Sequence, residues 1–163
     1  MQNSTLSRLA MLAALIFSGH TAFAAGGGGS DAPVFGPKVQ ADPNFTVGTE
    51  AVEKGTWQAA VEAFGKVVAK DSGNADGFNL LAYSYRKSGN LELAFTNYNE
   101  ALRLDPRHRG AHEYIGEAYL MAGNLAKAEE HLKELDRLCF FGCEQYDDLK
   151  KAVADYRQKN TSK

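Results

Sequence analysis

The sequence predicts an all-α fold: a stack of three helix pairs followed by a capping helix. The first observation behind this prediction is a repeat, because small and bulky residues recur every 34 residues without insertion. The second is that apolar residues within each copy recur at the three- and four-residue intervals of one helix face. The third is a glycine that divides each copy into two such segments, as a helix-ending residue does.

The composition is that of a folded protein with little charge bias. Of the 163 residues, 44% are hydrophobic and 23% are charged, and the formal net charge is −2. This apolar fraction suffices for a core, so bulk disorder is excluded. The charge balance argues against a general nucleic-acid binder, which needs a basic stripe. Two cysteines are too few for a disulfide-rich scaffold or a four-cysteine zinc site.

Residues 1–24 have the features of a cleaved secretory signal peptide. Arg8 supplies the positive charge, residues 9–17 form an apolar run, and Ala-Phe-Ala at 22–24 fits the small-x-small cleavage rule. The apolar run is too short for a membrane-spanning helix, which needs roughly 20 residues. We therefore expect an exported protein that does not insert into the membrane after signal removal. A Gram-negative periplasm is the compartment that such a signal favours.

Residues 25–40 have the composition of a flexible linker. They contain a run of glycines from Gly26 to Gly29 and two prolines, Pro33 and Pro37. A phosphate-binding glycine loop would need a preceding strand and a following helix signal, and neither is present.

Residues 41–142 form three copies, 41–74, 75–108 and 109–142, with matching columns. The columns are Gly55/Gly89/Gly123, Ala60/Ala94/Ala128, Val47/Leu81/Ile115, Gly48/Ala82/Gly116, Phe64/Tyr98/Leu132, Trp57/Leu91/Leu125 and Val67/Ala101/Leu135. In each copy the polar residue after the glycine is expected to cap the second helix, namely Thr56, Asn90 and Asn124.

This pattern resembles the tetratricopeptide repeat family. The middle copy carries the family pattern best, through Phe78, Leu81, Ala82, Tyr85, Ala94, Tyr98, Ala101 and Pro106. In the third copy Phe140 replaces the terminal proline. In the first copy Asn44 and Ala51 stand where aromatic residues are usual, so its first helix is expected to be frayed or shifted. The resemblance implies a right-handed superhelical stack of three helix pairs.

Residues 143–163 are expected to form the capping helix and a frayed tail. Repeat stacks need such a cap because the last unit has an uncovered apolar face. An amphipathic helix over 144–158 supplies it, with Tyr146, Leu149, Ala152, Val153 and Tyr156 on one side. Fraying is expected from Lys159 onward.

The resemblance also implies a function, because the first helices of such pairs line a concave groove that binds a peptide or a partner helix. Carried onto this sequence, the exposed groove positions are Phe45, Thr49, Val52, Asn79, Tyr83, Arg86, Lys87, Glu113, Glu117 and Leu120. A peptide carboxylate near Arg86 and an amine near Glu113 or Glu117 would complement this surface.

The subclass that binds the tails of cytosolic heat-shock proteins uses a defined set of groove residues. Thr49, Leu80 and Tyr114 break that set, which argues against this ligand. We expect an adaptor or assembly factor for another protein or peptide, monomeric or weakly self-associating.

Cys139 and Cys143 flank Phe140-Phe141-Gly142 in the turn before the cap. Residues four apart in a helix lie about 6 Å apart along the axis, near the upper limit for a disulfide, and a turn at Gly142 shortens that distance. A disulfide that fastens the cap to the last repeat is one interpretation. A redox or metal-handling accessory in cytochrome or copper-protein maturation is another, although the compared redox enzymes use Cys-x-x-Cys. Two free buried thiols are the third.

Evidence for catalysis is weak in this sequence. His108, His112 and His131 are not in a metalloprotease pattern, and no nucleophile elbow or phosphate loop is present. We therefore expect a non-catalytic protein without a metal or cofactor, and no nucleic-acid partner.

Overall fold

The computed structural model describes residues 42–161, and this part of the chain consists of seven α-helices joined by short turns. Their bounds are α1 Pro43–Glu53, α2 Trp57–Lys70, α3 Ala75–Lys87, α4 Leu91–Leu104, α5 Arg109–Met121, α6 Leu125–Leu138 and α7 Glu144–Thr161. The helices pack as α1 on α2, α3 on α4 and α5 on α6, and α7 packs on both α5 and α6. The predicted all-α repeat fold with a final covering helix is confirmed. The predicted signal peptide (1–24) and linker (25–40) lie outside the described residues.

The repeat of 34 residues is the spacing of the turns inside the helix pairs. Gly55, Gly89 and Gly123 each adopt positive φ, at 67°, 88° and 79°. This left-handed conformation reverses the chain after the first helix of each pair, and it favours glycine because a Cβ would be strained there.

A side-chain capping hydrogen bond forms at the start of the second helix in two of the three pairs. The side chains of Asn90 and Asn124 accept hydrogen bonds from the backbone N–H groups of Leu93 and Lys127, both at 3.1 Å. Thr56 occupies the N-cap position of α2 as predicted, but its side chain makes no capping hydrogen bond. A hydroxyl can donate as well as accept, and that of Thr56 donates instead to the carbonyl of the preceding helix.

The first helix is formed, contrary to the expectation of fraying. Pro43 stands in its first turn, and the Asp42 carboxylate accepts from the backbone N–H of Asn44 at 2.8 Å. Phe45 is buried edge-to-face against Phe64, with the ring centroids 5.4 Å apart. A Cβ on Gly48 would lie 2.6 Å from the same ring. The aromatic anchor of α1 is therefore Phe45, one residue after the position occupied by Asn44.

The cap packs closely on the last pair through α5. Leu149 and Val153 are 0% and 2% exposed. A Cβ on Gly116 of α5 would lie 2.6 Å from Leu149 Cδ2, so only glycine lets α7 approach this near without displacing that side chain. The helix continues to Thr161, so the fraying expected from Lys159 is not seen in the described residues.

The apolar core is continuous along the stack. One buried cluster spans α1 to α5 and a second joins α6 and α7, and Tyr119 of α5 packs against both. Within residues 42–161, no helix combines the length and apolar character that crossing a bilayer requires.

Candidate functional site

A cavity of about 360 Å³ lies where the beginnings of α3, α5 and α7 meet. We call it the inner cavity. Its lining residues are Asp76 and Asn79 from α3, Asp105, Arg107 and His108 from the α4–α5 turn, Arg109, Gly110, Glu113 and Tyr114 from α5, and Gln145 from α7. It therefore joins the second pair, the third pair and the cap in one polar site.

The floor of the inner cavity buries polar atoms. Asn79, Glu113 and Tyr114 are only 4%, 5% and 4% exposed. Among the described residues, the Oδ1 atom of Asn79 has no hydrogen-bond donor. A buried acceptor without a donor destabilises a folded protein by roughly 1–3 kcal/mol. A ligand that donates a hydrogen bond there would remove this cost.

The phenol of Tyr114 stays protonated at this floor. Burial, and then the charge of Glu113, raises the pKa of Tyr114 above its ordinary value. The floor therefore holds a neutral phenol together with the carboxylate of Glu113.

The rim of the inner cavity is held in place by His108. Its Nδ1 accepts from the backbone N–H of Ala111, so in the neutral ring Nε2 carries the proton and donates to Asp76 Oδ1 at 3.1 Å. This pair of bonds ties the start of α3 to the start of α5. Arg107 and Arg109 are exposed on the same rim, so the rim carries cations as well as the carboxylate of Asp76.

Arg86 does not lie on an exposed surface as the sequence analysis expected. It is 6% exposed, and its Nη1 lies 2.6 Å from Glu117 Oε2. Its guanidinium carbon lies 5.2 Å from the ring centroid of Tyr83 and 5.5 Å from that of Tyr114. Glu117 and two aromatic rings therefore occupy the place where a ligand carboxylate was expected.

The predicted exposure of the groove residues is wrong for six of the ten. Phe45, Val52, Asn79, Tyr83, Arg86 and Glu113 are buried, and Thr49, Lys87, Glu117 and Leu120 are half-buried. Phe45 is covered by Phe64 of its own pair, and Tyr83 is covered by Tyr114 of the next pair.

Aromatic rings close much of the same face. Trp57 contacts Tyr83 at 6.2 Å between centroids, and Tyr83 contacts Tyr114 at 5.0 Å. The ammonium nitrogen of Lys87 lies 5.6 Å from the ring centroid of Trp57. The binding role of these residues stays a prediction.

The sequence analysis missed Tyr114, His108 and Gly110 as site residues. A signal for the floor existed in the repeat itself, because Phe45, Asn79 and Glu113 occupy the same position of successive copies. That position is apolar in the first copy and polar in the next two. All three of these residues are buried, so the polar ones are those to examine for function.

The turn between α6 and α7 exposes apolar rings. The structure pairs Cys139 with Cys143, whose Cα atoms are 5.5 Å apart, and Gly142 between them has a φ of 85°. Phe140 and Phe141 are 86% and 96% exposed. In the part of the chain from 42 to 161, no three His, Cys, Asp or Glu side chains are grouped so that they could hold a metal ion.

Two histidines form a partly buried pair between α5 and α6. His112 Nδ1 lies 2.9 Å from His131 Nδ1, and His112 Nε2 lies 3.0 Å from the carbonyl oxygen of Pro106. A carbonyl only accepts, so His112 donates through Nε2 and His131 donates to His112. Burial, and then the neighbouring His112, lowers the pKa of His131 to about 4.

The seven helices form a helical repeat protein, and its inner cavity lies at the beginnings of α3, α5 and α7. The sequence profile of the tetratricopeptide repeat family matches residues 46–100 and 79–139, more than half of the chain. This chain belongs to the tetratricopeptide repeat family. No curated protein matches it in sequence.

Solved structures of other proteins share the fold. The type III secretion translocator chaperone SycD of Yersinia enterocolitica has a TM-score of 0.64 and 19% identity, over 72% of this chain and 83% of that one. The TPR2B domain of yeast Sti1, in a complex with pHsp70, has a TM-score of 0.65 and 21% identity, over 71% and 94%. The second TPR domain of human RPAP3, in complex with the HSP70 peptide SGPTIEEVD, has a TM-score of 0.62 and 25% identity, over 72% and 98%.

Proposed function

We propose that this protein is an exported, non-catalytic adaptor that binds a peptide or an extended protein segment on the face containing the inner cavity. The ligand inserts a cationic group, a lysine or arginine side chain or an N-terminal amine, into that cavity. The observation that carries the proposal is the unpaired, buried Oδ1 of Asn79 in the cavity that the buried Glu113 also lines.

A cation fits this floor because both groups accept hydrogen bonds. Asn79 Oδ1 accepts, and a carboxylate such as that of Glu113 accepts as well. Ammonium and guanidinium groups offer several donors and a positive charge, and a hydrogen bond to a charged group is worth about 1.5–3 kcal/mol. The exposed Arg107 and Arg109 at the mouth are positioned for acidic groups or carbonyls elsewhere on the same peptide.

Relatives in fold support a peptide ligand but not a particular one. The Sti1 and RPAP3 domains are described in complexes with Hsp70 or its peptide. Thr49, Leu80 and Tyr114 of this chain depart from the residue set that binds such acidic tails. We therefore propose a basic peptide segment in place of an acidic tail.

The proposed location is outside the cytoplasm, most simply in a Gram-negative periplasm. The support is the signal-like sequence of residues 1–24 together with the cysteine pairing, because disulfides persist in oxidising compartments. We propose that Cys139 and Cys143 fasten the turn before the cap. The redox or metal-handling alternative is tested by the serine variants in the Discussion.

Selection of random peptides displayed on phage against the purified protein tests the ligand class. Selected peptides should share a lysine or arginine, and replacing it by norleucine or citrulline should weaken binding at least about tenfold, or about 1.4 kcal/mol. Glu113→Gln keeps the shape of the floor and should weaken the same peptides by a similar factor. The matched control is Asp136→Asn, which removes an exposed carboxylate from α6 and should bind unchanged. Selected peptides without a basic residue, or unchanged binding by Glu113→Gln, would rule the proposal out.

A further inference from the structure

The α6–α7 turn presents the most exposed large apolar side chains of the described chain. Phe140 and Phe141 are 86% and 96% exposed, and their ring centroids are 5.0 Å apart in an edge-to-face contact. The linked Cys139 and Cys143 hold the three intervening residues in a short loop that turns away from the core. Contiguous exposed apolar surface of this kind marks a place where something binds.

An apolar groove lies at the other end of α7. It has a volume of about 340 Å³ and is lined by Leu120, Met121, Ala152 and Tyr156, with Asp155 and Lys159 at its edge. Met121 is 56% exposed in it. Along the helix, Tyr156 is about 20 Å from Cys143 at 1.5 Å per residue, so the phenylalanines of one copy do not reach the groove of the same copy.

The charge along α7 differs between its two ends. Residues 144–148 at its start carry Glu144, Asp147 and Asp148, a net charge of −3. Residues 157–161 at its end carry Arg157 and Lys159, a net charge of +2. Two α7 helices that run antiparallel and in register would therefore place the acidic start of each over the basic end of the other.

We propose that two copies of this protein pair antiparallel through α7, with Phe140 and Phe141 of each copy seated in the groove of the other. A two-fold axis across the middle of α7 produces both contacts at once and closes the assembly as a dimer. The pairing covers the apolar turn and the apolar groove together, and it does not depend on the peptide ligand proposed above.

Analytical ultracentrifugation of the purified protein over a wide concentration range tests the pairing. The wild type should sediment with twice the mass of the chain, and Phe140→Ser/Phe141→Ser should weaken the dimer at least about tenfold, or about 1.4 kcal/mol. Met121→Asp, on the groove side, should act in the same direction. Val47→Ser is the matched control, because it removes an exposed apolar side chain from the distant α1 and should leave the dimer intact. Circular dichroism and urea unfolding should show that each variant remains folded.

A charge-reversal cycle tests the antiparallel direction. Asp147→Lys alone and Lys159→Asp alone should each weaken the dimer, and the double variant should recover most of the affinity. The two residues lie about 18 Å apart on one helix, so a direct pairing between them must come from two chains. A double variant weaker than either single variant would overturn the antiparallel arrangement.

Three results would overturn the dimer itself. The first is a monomer at every concentration, and the second is a dimer that Phe140→Ser/Phe141→Ser leaves unchanged. The third is a wild-type monomer that binds vesicles of phosphatidylethanolamine and phosphatidylglycerol only when both phenylalanines are present, which would assign the turn to a lipid surface.

Discussion

The inner cavity and the α6–α7 turn depart from the usual pattern of burial in opposite ways. The cavity region buries polar and charged side chains, whereas the turn exposes apolar ones. Around the cavity, Asn79, Arg86 and Glu113 are polar or charged and are 4%, 6% and 5% exposed. At the turn, Phe140 and Phe141 are apolar and are 86% and 96% exposed. Helix packing decides burial in the first region, whatever residue the position carries. At the α6–α7 turn, the short disulfide-linked loop decides the exposure of the two phenylalanines, because their rings do not reach the core.

The two regions differ in how this departure is stabilised. Arg86 is compensated inside its own chain, by the carboxylate of Glu117 and the faces of Tyr83 and Tyr114. Phe140 has only its neighbour Phe141 as a ring contact within the described residues. Arg86 is therefore coupled to the stability of the fold, whereas the exposed phenylalanines are available to another molecule. The following variants test this difference in order of expected effect.

The largest effect is expected from separating Arg86 and Glu117. Glu117→Leu leaves the guanidinium buried without its counter-charge and should lower the free energy of unfolding by about 3–5 kcal/mol. Urea unfolding followed by circular dichroism measures it. Arg86→Met combined with Glu117→Leu removes both charges and should recover most of that loss. A double variant whose loss equals the sum of the single losses would show that the two residues are not coupled.

The next effect concerns pH and the histidine pair. The pKa of His131 is lowered to about 4 in the folded protein, so below its ordinary pKa of 6.5 the unfolded chain binds a proton that the folded one does not. Stability should therefore be full above about pH 6.5, decrease as the pH falls towards 4, and level off below it. We expect a loss of about 2 to 3 kcal/mol, because the ring is partly exposed to solvent.

Urea midpoints at several pH values measure this loss, and His131→Phe serves as the control. It keeps a ring against Tyr119, which stacks on His131 at 5.7 Å, but it has no proton to bind. The decrease between pH 6.5 and 4 should shrink in this variant. If the variant loses as much stability between pH 6.5 and 4 as the wild type, groups other than His131 cause that loss.

The smallest effect is expected from the cysteines. Cys139→Ser/Cys143→Ser opens a loop of five residues and should lower the free energy of unfolding by up to about 2 kcal/mol while peptide binding persists. Thermal unfolding with and without reductant compares the variant with the reduced wild type, which should lose the same amount. Unchanged stability combined with loss of function in cells would instead support the redox or metal-handling alternative.

Much of the fold follows from the sequence because the repeat fixes the turns. Gly89 and its equivalents end the first helices as predicted, and Asn90 caps the next one. The sequence did not predict that α1 is fully formed. The residue at the usual aromatic position is Asn44, and the anchoring role of Phe45 was not recognised. That role depends on a contact with Phe64 in another helix, which local pattern does not reveal.

The sequence predicted which helices carry the residues of the candidate site, but it did not predict that these residues are buried. The sequence placed Asn79 and Glu113 on the first helices of their pairs, but it treated polar residues there as solvated. Their burial depends on how closely α3, α5 and α7 approach, which is a property of the assembled stack. The exposure of Phe140 likewise depends on the geometry of the linked turn. Each of these outcomes was decided by distances between elements and not by the residue types.

The position of α5 has a consequence for local opening. α5 packs against α3, α4, α6 and α7, whereas α1 at the end of the stack packs against α2. In a repeat protein, each unit is stabilised mainly by its neighbours, so opening α1 costs the least free energy and opening α5 the most. Glu113 and Tyr114 belong to α5, so they lie on the helix that opens last. Fluctuations that release the first helix therefore leave the inner cavity formed.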